Sequence, residues 1–236
     1  MKRCLLILIS IYIVSVAWGR TLVVYYSFTN NVHSIIEELS RQIEADVIRI
    51  EPAQKGVDYA ADYYAVGDDL IKAINADPDN ESSYPDIDPV DVDLSAYDTV
   101  IIGAPLWWGQ MAAPLQTFLF KYGKDMADKN IGLIVSSSST GISGVEKDAA
   151  RLIPDGRFFR NALWIRSSQV SSASSKLKDW LTDVDYTGKT SLVPIFQEAA
   201  RSGHSIYTLS GVSVRSVSNL SAGIYIIDGK KVYLNK

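Results

Sequence analysis

Apolar and polar residues fall in blocks along this chain, and the blocks alternate between two periods. Thr21–Tyr26 (TLVVYY) is apolar and β-branched without alternation, which predicts a strand buried on both faces. Ser27–Asn31 (SFTNN) is a short polar turn. Val32–Ile43 then predicts a helix, because Ile35, Ile36, Leu39 and Ile43 recur at helical spacing. Asp46–Ile50 (DVIRI) predicts a second strand, so these blocks open a right-handed βαβ unit. Further strands are predicted over Asp98–Gly103 and Asn130–Val135 and within Phe158–Ile165, and helices over Ala113–Tyr122, Val145–Leu152 and Lys176–Leu181. Five strands alternating with helices predict an α/β fold: a doubly wound, five-stranded parallel sheet with helices on both faces.

Two segments depart from this rhythm. Glu51–Ala96 is longer than an ordinary crossover. Within it, Ala60–Asn75 predicts a helix with Tyr63, Val66, Leu70 and Ile74 on one side, followed by a Pro/Asp-rich loop over Asp77–Asp93. Asp58–Asp98 carries 12 acidic residues against Lys72 alone, a local charge of −11. That is either a docking face for a basic partner or a loop that simply faces water. After Thr182 the pattern becomes short strand-like pieces at Ser205–Leu209, Val212–Val217, Gly223–Ile227 and Lys231–Leu234, with Asp228-Gly229 as a hairpin turn. This predicts a small β appendage over residues 204–236, joined by a linker over residues 183–203 to a main domain over residues 20–182.

The first residues read as a targeting segment rather than as fold. Lys2-Arg3 precedes the apolar run Cys4–Val16, and Ala17-Trp18-Gly19 offers small residues for cleavage, so residues 1–19 read as a signal peptide. The run is shorter than the roughly 20 residues a membrane span needs, so no span is expected after its removal. The only cysteine, Cys4, goes with it, which excludes disulfides, thiolate metal sites and cysteine nucleophiles from the remainder. Losing Lys2 and Arg3 from the 23 basic residues leaves 21 against 27 acidic ones, a net charge of −6. Such a domain is not expected to bind nucleic acid. Neither His33 nor His204 forms a cluster that predicts a metal site.

Chemistry is expected where the first, third and fourth strands end, because their loops emerge together at the carboxyl edge of a parallel sheet. In the first loop, the hydroxyls of Ser27 and Thr29 and the free amides of a helix start form an anion cradle, or else plain helix caps. The second loop holds Trp107-Trp108. Adjacent residues of an extended chain point in opposite directions, so one core does not easily take both indoles. The third, Ser136–Gly144, is rich in small residues that let backbone approach a flat ligand. A phosphate cradle, an aromatic wall and a small-residue loop describe a flavin mononucleotide site.

Three stretches carry a resemblance: LVVYYSFTNNVHSI (Leu22–Ile35), YDTVIIGAPLWWGQMAAPLQTFL (Tyr97–Leu119) and SSSSTGISGVEKD (Ser136–Asp148). Thr21–Leu181 resembles a flavodoxin-like domain, and most resembles the bacterial subfamily with a Trp-Trp-Gly second loop. The resemblance implies non-covalent FMN, with phosphate held by Ser27, Thr29, Asn30 and Asn31 and the amide of Val32. Pro105, Leu106, Trp107, Trp108 and Gly109 would flank one side of the ring, and Ser137, Ser138, Ser139, Thr140 and Gly141 the other. No catalytic side chain is implied, since the flavin carries the redox chemistry. The chain would be an electron carrier or an FMN-dependent oxidoreductase of the NAD(P)H or quinone type. Its partner would be a redox protein or a small acceptor such as a quinone.

The first loop departs from the pattern Ser/Thr-x-Thr-Gly-Asn-Thr at two positions. Asn30 replaces the glycine, and asparagine tolerates left-handed backbone. Val32 replaces the last threonine and loses a hydroxyl, which is expected to weaken FMN binding by one to two orders of magnitude. The alternative function is therefore a flavodoxin-fold surface or binding protein that has lost FMN. The tail Ser205–Lys236 resembles the sorting tails of type IX secretion substrates, which implies the secretion machinery as a partner and an exported protein, in the periplasm, on the outer-membrane surface or outside the cell.

Overall fold

A computed structural model of the chain describes residues 19–138 and 141–188, together with the backbone of four strands beyond residue 205. The predicted signal peptide lies outside the described residues, apart from Gly19, and so do Ser139 and Thr140, the Asp228-Gly229 turn and the predicted linker from residue 189 onward. The chain divides into two compact units between Lys189 and Thr190.

In the first unit, strands β1 (Thr21–Tyr25), β2 (Asp46–Arg49), β3 (Thr99–Trp107) and β5 (Asn130–Ser137) lie in the order β2-β1-β3-β5. Every adjacent pair in this row is parallel. The row's next position is one interrupted strand, because β6 (Arg157–Phe158) and β7 (Leu163–Arg166) both pair with β5. Between them, Arg160 and Asn161 bond to the Asp183 side chain at 2.9 and 2.5 Å.

Alternation along β1 builds two cores. Leu22 and Val24 face one layer with Val100, Ile102 and the apolar side of helices α3 (Ala113–Tyr122) and α4 (Ser143–Leu152). Val23 and Tyr25 face the other, with Ile35, Ile36 and Leu39 of helix α1 (Asn31–Ser40) and Leu177 and Trp180 of helix α5 (Ala173–Asp183). The five sheet positions and helices on both faces thus match the fold expected from the sequence.

The helix expected in the long crossover is observed, but only part of its expected face, Leu70 and Ile74, packs inward. Helix α2 (Ala61–Ala76) buries Gly67, Ile71 and Ile74, while Tyr63 is fully exposed. The reason lies in its first turn, where Asp62, Tyr63 and Tyr64 have φ of 51, 56 and 69°. Left-handed backbone there takes Tyr63 off the face that carries Leu70 and Ile74.

The second unit shows strands β8 (Ile206–Thr208), β9 (Ser213–Val214), β10 (Gly223–Ile227) and β11 (Lys230–Leu234). They form one antiparallel sheet in the order β11-β10-β8-β9.

Candidate functional site

The ends of β1, β3 and β5 open on a cleft of about 400 Å³, a size usual for a small-ligand site. The first wall is the turn between β1 and α1. Asn30 stands at φ 62°, ψ 1°, the left-handed position the sequence pattern fills with glycine. Its side chain makes no cap bond. Instead the Ser27 hydroxyl accepts from the His33 amide at 3.2 Å, and the Asn30 carbonyl accepts from the Ser34 amide at 2.9 Å. The amides of Asn31 and Val32 have no partner among the described residues, and both residues line the cleft. His33 turns away: its Nδ1 meets the Tyr25 hydroxyl at 2.7 Å and its Nε2 lies 3.6 Å from Glu37.

The second wall is a hairpin absent from the sequence reading. β3 continues past Gly103 to Trp107 and pairs antiparallel with β4 (Gln110–Met111). Trp108 and Gly109 form the turn, with φ of 47 and 79°. Extended backbone would send the two indoles to opposite sides. The left-handed angle at Trp108 returns its ring to the same cleft, 6.1 Å from that of Trp107 and nearly perpendicular to it. A bulky residue at positive φ is rare and costs about 1–3 kcal/mol. Trp107 is half-buried against Tyr26, Phe28 and Tyr59, with ring centroids 5.8, 6.2 and 5.0 Å away. Trp108 is 42% exposed and meets Tyr64 edge-on at 6.3 Å.

The third wall is the end of β5. Ser136, Ser137 and Ser138 line the cleft. The Ser137 hydroxyl accepts from the Trp164 indole N–H at 2.9 Å. The Ser136 hydroxyl is buried and has no hydrogen-bond partner among the described residues. An unpaired buried hydroxyl costs about 1–3 kcal/mol, so a polar ligand atom at this wall would relieve a cost already present.

Ten of the residues expected from the sequence therefore line one cleft: Ser27, Thr29, Asn31, Val32, Pro105, Leu106, Trp107, Trp108, Ser137 and Ser138. Asn30, Gly109 and Gly141 are not among its lining residues. Asn30 and Gly109 act through backbone shape, and around Gly141 there is open space. Ser139 and Thr140 lie outside the described residues. The reading missed Phe28, Ser136 and Ser167, and it missed the far wall. Tyr59, Tyr63 and Tyr64 come from the acidic stretch, read above as a docking face or a solvated loop. The visible signal was three tyrosines within six residues of a segment otherwise short of aromatics there. Burial raises the pKa of the Tyr59 hydroxyl, so it is neutral at ordinary pH.

Among the described residues, no Lys, Arg, Asp or Glu lines the cleft. An anion here would depend on amides, hydroxyls and the start of α1. The nearby Arg49 is engaged by the Ser27 carbonyl at 3.2 Å and by Glu51 at 2.8 Å. Among the described residues no group of His, Cys, Asp or Glu could hold a metal, and no helix is long and apolar enough to cross a membrane.

The flavodoxin family model matches residues 20–184. This chain belongs to the flavodoxin family. Its fold is shared with a flavoprotein from Bacteroides eggerthii, at TM-score 0.56 and 20% identity over 71% of this chain and 98% of that one. A flavoprotein from Bacteroides uniformis aligns at TM-score 0.54 and 23% identity, over 68% of this chain and 99% of its own. A flavoprotein from Lactobacillus acidophilus, solved in complex with FMN, aligns at TM-score 0.51 and 21% identity, over 66% and 99%. No curated protein matches the chain significantly.

Proposed function

We propose that this flavodoxin-family chain binds one FMN non-covalently in the three-walled cleft and serves in electron transfer or as an FMN-dependent oxidoreductase. The observation that carries the reading is the meeting of the amide-rich start of α1 and both indoles at the carboxyl edge of β1 and β3. The flavodoxin order is itself a reference case for ligands binding at that switch point. The FMN complex of the Lactobacillus acidophilus relative supports the same cofactor.

The residues present fit the group. The Asn31 and Val32 amides and the Thr29 hydroxyl would hold the phosphate, with the α1 dipole adding attraction. Trp107 and Trp108 would bound the ring on one side, where an aromatic contact adds about 0.5–1.5 kcal/mol beyond burial. The Ser136 hydroxyl would meet a polar edge of the ring. Tyr59 and Tyr64 would keep water from the far side. Bound FMN would supply the one- and two-electron chemistry, and the chain supplies binding, orientation and a low-dielectric setting.

The acceptor we infer is a redox protein or a planar small molecule such as a quinone, because the mouth of the cleft is aromatic and none of the described residues lining it carries a charge that would select an ionic substrate. The apolar run at residues 4–16 and the sorting-like tail support action outside the cytoplasm.

Titrating the purified chain into FMN tests the reading. Quenching of flavin fluorescence with a structured visible band is expected, at micromolar or tighter affinity. Unquenched fluorescence at saturating protein would instead favour a binding protein without FMN, a reading motivated by buried Val32 at the phosphate end.

A further inference from the structure

The Trp107–Trp108 hairpin holds an unfavourable backbone angle, so something outside it must fix that angle. One face of α4 does so. Gly144, Asp148 and Arg151 follow one another at spacings of four and three, which places them in one row along the helix. A Cβ on Gly144 would sit 1.8 Å from the Gly109 carbonyl oxygen, so the start of α4 rests directly on the Trp-Trp-Gly turn. One turn on, an Asp148 carboxylate oxygen accepts from the Met111 amide at 2.9 Å. From α3, the Gln116 amide donates to the Met111 carbonyl at 2.7 Å. Arg151 joins the two, donating to the Gln116 side-chain oxygen at 2.8 Å and lying 3.6 Å from Asp148. It also donates to the Tyr84 hydroxyl at 3.0 Å, which in turn donates to the Pro78 carbonyl.

We propose that Asp148 is a positioning residue for the ring-binding wall. With Gly144, Arg151 and Gln116 it clamps both backbone groups of Met111 and thereby sets where the two indoles stand. The proposal rests on the FMN reading only for what the wall is for; the clamp itself is a property of the protein without ligand. A carboxylate only 7% exposed is costly to keep, and here it spends its strongest contact on one loop amide. Burial raises the Asp148 pKa, while the Met111 amide and Arg151 oppose that rise.

Hydrogen exchange of the full chain without FMN, read over residues 105–112 and over β1 and β5, tests the clamp. Asp148→Ala is expected to speed exchange in the hairpin about ten- to a hundredfold, the size of one hydrogen bond to a charged group, with β1 and β5 unchanged. Asp148→Asn, which keeps an oxygen for the Met111 amide, restores most of the protection. FMN affinity follows the same order, weakening about tenfold in the alanine variant and recovering in the asparagine variant. Should Asp148→Ala not fold, Gln116→Met decides, with a smaller rise confined to residues 105–112. Unchanged hairpin exchange overturns the proposal, as does a rise shared equally by β1 and β5, which would mean a general loss of stability. If the native chain binds no FMN, the functional reading fails and the exchange result still decides the clamp.

Discussion

At the scale of the residue, the phosphate loop shows how much one side chain can imply. The left-handed angle at Asn30 was legible in the sequence, because a motif position held by glycine can pass to asparagine with little strain. Asn30→Ala is expected to destabilise the chain by about 1 kcal/mol, and Asn30→Gly to leave stability within about 0.5 kcal/mol, both read from urea unfolding. Val32 is a different case. It lines the cleft yet is only 2% exposed and packs with Ile35 and Ile36. Val32→Thr therefore carries two opposite signs. Without ligand the new hydroxyl is buried without an assured partner and lowers stability by about 1 kcal/mol. With FMN it gains a charged acceptor, and the Kd is expected to fall at least tenfold. Calorimetric titration and unfolding of the same variant separate the two effects. The angle at Trp108 was not legible, since nothing in a Trp-Trp-Gly string says that the second indole turns back beside the first.

At the scale of the element, strands and their alternation were read well, while the buried face of the crossover helix was read only in part. β1, β3 and β5 are buried on both faces, so a continuous apolar run identified each without any tertiary knowledge. α2 depends on tertiary contact: its left-handed first turn takes Tyr63 off the packed face, and the buried face is set by what lies across from it. Gly67 marks that contact. A Cβ there would stand 2.6 Å from the Trp108 ring. Alanine in a helix interior normally adds about 1 kcal/mol over glycine. Gly67→Ala is expected to give little of that gain, because the half-exposed indole must shift to make room. The checks are a red shift in tryptophan emission and an FMN affinity weakened several-fold at nearly constant Tm.

At the scale of the whole molecule, the cleft draws on segments far apart in the chain, and every described residue that lines it lies within residues 27–167. A chain ending at Lys189 is expected to keep FMN binding within about twofold of the full chain. In either form, FMN at a hundred times its Kd is expected to add about 2.7 kcal/mol, which raises Tm by roughly 5–11 °C for a domain of this size. Differential scanning calorimetry at two FMN concentrations checks both the sign and the concentration dependence. The central pairing behind the cleft sets Val23 beside Ile101, 78 residues later. Strand partners so distant close slowly, since a long loop must be ordered before the contact forms. The order of events during synthesis follows. The turn that faces phosphate is made early, but the cleft around it is complete only once the polypeptide has grown past Ser167. Cofactor capture thus comes late in the growth of the first unit, wherever the finished protein comes to rest.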